Sequence, residues 1–95
     1  MIEPRTVIKR TANQVSCSLN GEVAILNLGS ARYFGVDSVG AYIWHELQEP
    51  RSVAALCKAV IENFDVPEAI CESDVVKFVI ALREAKLVEL VEEQR

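Results

Sequence analysis

The chain carries a single histidine, His45, and only three cysteines, Cys17, Cys57 and Cys71, at wide spacing. An odd, scattered set of thiols with no C-x-x-C pair offers neither a disulfide framework nor a metal site. His45 stands beside Glu46 on a helical stretch, where adjacent residues point apart, so it reads as a surface histidine. None of the cysteines is flanked by the cations that stabilise a thiolate. Gly29, Gly35 and Gly40 are isolated, so no glycine-rich loop is present to cradle a phosphate. No run approaches the ~18 apolar residues of a membrane span, and "MIEPRTVIKR" lacks the apolar core of a signal peptide. These absences argue against an enzyme, a metal or other cofactor, and a membrane protein. A cytoplasmic chain with reduced thiols is expected.

Positive charge is also in short supply. The net charge is −4, which disfavours nucleic acid as a partner held by phosphate neutralisation. Glu68, Glu72 and Asp74 cluster where a helix begins, and the helix dipole accounts for them without a bound cation. What is present is apolar content: 51% of the 95 residues, against 25% charged, which suits one small globular domain.

Residues 1–13 show no sustained period and read as an N-terminal tail, leaving 14–92 as a single domain. "QVSCSL" and "EVAILNL" flank Asn20-Gly21, a strong signal for a two-residue hairpin turn. That turn sets Leu19 opposite Glu22, Cys17 opposite Ala24 and Val15 opposite Leu26. A second turn at Gly29-Ser30 sets Leu28 opposite Ala31, Leu26 opposite Tyr33 and Ile25 opposite Phe34. The face carrying Val15, Cys17, Leu19, Ala24, Leu26, Leu28 and Tyr33 is expected to meet the core, because the other face mixes Ser16, Ser18, Asn27 and Arg32 with Val23, Ile25 and Phe34. The third strand, "ARYFGV", has no proline and one charge, Arg32, so its free edge is left without the usual protection against pairing.

The remainder is helical. Asp37 or Ser38 caps a helix to about Gln48, Ser52 caps a second to about Asn63, and Pro67 opens a third that continues to about Lys86. The apolar arc of the third helix spans roughly 220°, more than one core contact requires. Val75, Phe78 and Leu82 are assigned to the core. Val76, Val79, Ile80 and Arg83 form a flank available to something else. The fold class is α+β, a three-stranded antiparallel β-meander followed by three helices, winged helix-turn-helix-like. Acids outnumber cations between Pro67 and Lys86, which speaks against a DNA-recognition helix.

In the order "GEVAILNLGSARYFGVDSVGAYIWHEL", "SVAALCKAVIENFDV" and "DVVKFVIALREAKLVE", the chain resembles the PqqD family of peptide-recognition domains, also called RiPP recognition elements, over residues 15–90. It departs from the family at Ala85-Lys86, where a glycine often precedes the final "L-V", so the end of the last helix is expected to differ. The resemblance implies a non-catalytic domain that binds the leader segment of a ribosomally made precursor peptide. The leader adds as a strand beside residues 31–36, in a groove closed by the third helix. On this chain the implied contacts are Arg32, Tyr33, Phe34, Val76, Val79, Ile80 and Arg83.

"RYFGVDSVG" looks most like the stand-alone leader-binding proteins of lasso peptide biosynthesis, whose partners are a leader peptidase and an ATP-dependent ring-forming enzyme. A PqqD-type peptide chaperone for quinone cofactor biosynthesis, partnered by a radical-SAM enzyme, is the neighbouring possibility. Two other readings stand beside these: an acidic winged-helix DNA-binding regulator, and an adaptor that dimerises through Val23, Ile25 and Phe34.

Overall fold

The β-prone runs form strands where the alternation places them. In the computed structural model, which describes residues 2–20 and 22–91, the meander consists of β2 (Gln14–Leu19), β3 (Glu22–Asn27) and β4 (Arg32–Val36), paired antiparallel in that order. Its registers pair Val15 with Leu26, Cys17 with Ala24, Leu26 with Tyr33 and Ile25 with Phe34, as the turn positions require. Asn20 takes the left-handed conformation of a primed turn, with φ 55°. Its partner Gly21, the side chain of Leu19 and residue 92, where the domain was expected to end, lie outside the described residues. The second connection is a four-residue loop, 28–31, closed by the Ala31 N–H donating to Asn27 O and by Ala31 at φ 59°.

Three helices follow: α1 (Ser38–Glu46), α2 (Val53–Asn63) and α3 (Glu68–Glu84). Asp37 Oδ1 accepts from the Gly40 N–H at 2.9 Å and Ser52 Oγ from the Ala55 N–H at 3.1 Å, so both expected caps form. α3 ends as a Schellman motif: Leu87 N–H donates to Leu82 O, Lys86 N–H donates to Arg83 O, and Lys86 sits at φ 63°. This is the position where the family often has glycine. Buried Leu82 and Leu87 supply the apolar contact that goes with the motif, and the helix ends normally without it.

The N-terminal segment is not a tail. Val7–Arg10 is a strand, β1, lying between β5 (Arg51–Ser52) and β6 (Val88–Val91) in a second antiparallel sheet. Ile8 is fully buried in the core. The lead-in also serves the next helix, since Thr6 O accepts from Val53 N–H and Pro4 O from Ala54 N–H, two of the donors a helix start leaves unpaired. Four residues are too few to show a period, so these long-range contacts had no local trace.

The core face of the meander is the opposite of the expected one. Val23, Ile25 and Val36 are buried and Phe34 is half-buried against the helices, whereas Val15, Leu28 and Tyr33 are exposed on the outer face. The polar residue that weighed against the true core face, Asn27, is buried with its bonds satisfied. Its Nδ2 donates to Ala85 O at 2.9 Å, and its Oδ1 accepts from the N–H groups of Gly29 and Ser30. Val23 and Ile25, at 4% and 0% exposure, leave no surface for the adaptor dimer.

The orientation has a direct thermodynamic check. Ile25→Ala is expected to cost about 2–5 kcal/mol, whereas Tyr33→Ala should fall within about 0.5 kcal/mol of wild type. Urea denaturation of the two variants measures both, and equal losses would contradict the orientation.

Candidate functional site

Among the described residues β4 has β3 on one side and an open edge on the other. Facing that edge is one flank of α3, and the two walls meet at Phe34 and Phe78, whose rings pack edge to face at 6.4 Å and 66°. Behind them α1 comes close through Gly40: a Cβ there would lie 3.0 Å from both the Phe78 ring and Val36 Cβ. A side chain at Gly40 would push Phe78 toward the strand and narrow the site.

The aromatic pair forms a saddle between two hollows. One, of about 700 Å³, lies between the 28–31 loop and the end of α3; Arg32, Phe34, Glu84, Ala85 and Lys86 are among its lining residues. The other, of about 300 Å³, is walled by apolar groups of all three helices, including Ile43, Val75 and Phe78, with Asp37 and Asp74 also in its lining. The larger hollow borders β4, and the smaller one begins at Asp37, just past its Val36 end, and runs among the helices. The two are joined at the Phe34–Phe78 saddle into a trough beside the strand, whose five residues span about 17 Å. Asn27 fixes the first end, because it holds both the 28–31 loop and the carbonyl of Ala85 at the end of α3.

The sequence-derived contacts divide on this geometry. Arg32 and Phe34 line the trough. Tyr33 also lines the larger hollow, although its side chain is 76% exposed and alternates to the outer face of the sheet. Val79 is fully buried in the core and lines neither hollow. Val76, Ile80 and Arg83 lie about 140–160° around α3 from Phe78, on the flank turned away from β4. Phe78, assigned to the core from its spacing, lies instead at the saddle. Because the apolar arc is continuous through Phe78, Val75 and Val79, its extent did not reveal which margin meets the strand.

Reactive groups are muted. Burial, the neighbouring Cys71 and the charge of Glu72 push the Cys57 thiol up to about 11. It therefore stays protonated near neutral pH, and Cys71 Sγ donates to Cys57 O at 3.7 Å between α2 and α3. Arg10, on β1, stacks over the Trp44 ring at 4.1 Å and donates to Trp44 O, away from the trough lining. Burial lowers its pKa from the usual guanidinium value. Among the described residues no helix is long and apolar enough to cross a membrane.

A meander with an unpaired edge, backed by three helices and bordered by an apolar trough, defines an α+β domain of winged-helix type. The family profile described as Coenzyme PQQ synthesis protein D (PqqD) matches residues 22–88, and this chain belongs to that family. Among solved structures it is similar to "TbiB1 in Complex with the TbiA(beta) Leader Peptide", with TM-score 0.80 and 30% identity over 90% of this chain and 99% of that one. It also shares the fold of "Lasso peptide synthetase B1 complexed with the leader peptide", with TM-score 0.76 and 17% identity over 86% of this chain and 96% of that one. No curated protein matches it.

Proposed function

We propose that this chain is a non-catalytic leader-binding protein: it captures the leader of a ribosomally made precursor as a strand added to the free edge of β4, beside α3. The observation that carries this reading is the open backbone edge of Arg32–Val36 facing an apolar trough. Main-chain hydrogen bonds supply affinity there, and pockets for alternate side chains supply selectivity. The related TbiB1 structure holds a leader peptide, which supports the same reading. Arg32, Phe34, Phe78, Ala85 and Lys86 are the proposed contacts. The captured peptide is then presented to a leader peptidase and an ATP-dependent ring-forming enzyme. The family description favours a second reading of the same site, in which the recipient is a radical-SAM enzyme of quinone cofactor synthesis.

A leader ordered only on binding loses chain freedom, so affinity should be moderate and concentrated in a few anchors. The leader of a short precursor encoded beside this chain is the direct probe. At about 100 times its Kd it should stabilise the fold by about 2.7 kcal/mol, a rise in Tm on the order of 10 °C, with amide shifts concentrated in residues 32–36. No change in Tm or amide spectrum at saturating peptide would overturn leader capture.

A further inference from the structure

We infer that the trough reads the order of charges along its peptide, taking a cationic side chain at the Asp37–Asp74 end and an anionic one at the Arg32–Lys86 end. This rests on peptide capture along β4 and specifies which peptides are captured.

The two hollows carry opposite charge. The lining of the larger one holds Arg32 and Lys86 against Glu84, a net positive charge. The smaller one holds Asp37 and Asp74, with no cation in its lining. Lys77, three residues from Asp74, is exposed and lines neither hollow. One oxygen of Asp37 is committed to the Gly40 N–H, and its second oxygen is not required by that bond. Among the described residues the ion pair is Arg51 with Glu46, so these charges are not spent on each other. Arg32 and Val36, four strand steps apart, are separated by about 13 Å, more than the ~8 Å screening length of physiological salt, so each end acts on its own part of the peptide.

Register turns this polarity into a sequence pattern. Arg32, Phe34 and Val36 share the trough face of β4, because strand side chains alternate. The matching positions on an added strand are also every second residue. Antiparallel pairing is the slightly stronger ladder, so the peptide runs from the Val36 end to the Arg32 end. Its pattern, N to C, is cation, any residue, apolar, any residue, anion, with the apolar side chain over the Phe34–Phe78 saddle. Charges at such a rim act mainly on selectivity, and the two matched pairs together contribute roughly fivefold.

The test is an mRNA-display selection of random 15-residue peptides on the wild-type protein and on the Arg32→Glu, Lys86→Glu variant. Both positions are exposed, and thermal melting of the variant confirms that it is folded. Wild type should enrich the cation–apolar–anion order about fivefold over the reverse, and the variant should lose the preference for the C-terminal anion. An enriched peptide and its charge-reversed isomer, compared by fluorescence polarisation, should differ at 50 mM salt and converge at 500 mM. Binders with no charge order, with the opposite order, or with an order unaltered in the variant overturn the inference while leaving peptide capture standing. A selection that yields no binders removes peptide capture, and this inference with it.

Discussion

Deleting residues 1–10 abolishes the cooperative fold, although none of those residues lines the trough. The deletion takes away the central strand of the β5–β1–β6 sheet, and with it every bridge that sheet contains. It empties the site of Ile8, a fully buried side chain whose truncation to alanine alone would cost about 2–5 kcal/mol. Two N–H groups at the start of α2 lose their acceptors, Pro4 O and Thr6 O, at roughly 1 kcal/mol each. The guanidinium over Trp44 is lost as well, and that ring, fully buried in the intact protein, gains a route to water. These losses match or exceed the roughly 5–10 kcal/mol by which a domain of this size is stable. Circular dichroism during heating should show a broad, non-cooperative change. A sharp transition within a few degrees of the full chain would show that the segment is dispensable.

The second large effect is confined to β4. On an edge strand of an antiparallel ladder, the N–H groups of adjacent residues point alternately to the paired strand and to the open side. Tyr33→Pro and Phe34→Pro must therefore behave differently, although they are neighbours. One removes a bond to β3 and lowers Tm on the order of 10 °C. The other leaves β3 paired and removes a donor to the incoming peptide, which weakens leader binding by about tenfold or more. Tyr33→Ala and Phe34→Ala separate the loss of the side chain from that of the backbone. If both proline variants bind the leader as their alanine controls do, strand addition at this edge is wrong.

Local features made much of this fold legible. Asn20-Gly21 set the first register, Asp37 and Ser52 marked two helix starts, and Pro67 marked the third. The free edge of 32–36 was legible from its lack of protection, while spacing alone did not show which margin of α3 faces it. The errors share a cause, which is that a three-dimensional partner overrode the local signal. Asn27 looked like a solvent-facing residue because its acceptor, Ala85 O, is 58 positions away. Val7–Arg10 looked patternless because its pairing partners lie at positions 51–52 and 88–91. Phe78 and Val79 lie about 100° apart on one continuous apolar arc, and only the position of β4 tells which of them faces the trough.

The pairing of Val7 with Val91 makes the domain suited to modular use. Cross-strand partners sit about 5 Å apart, so β1 and β6 bring positions 7 and 91 to nearly one point, with residues 2–6 running on from there to α2. A host loop opened at a single peptide bond could carry the whole unit on two short linkers with little change in its own end-to-end distance. The trough is built on β4 and α3, neither of which belongs to that pair, so linkers joined there would leave the trough unchanged.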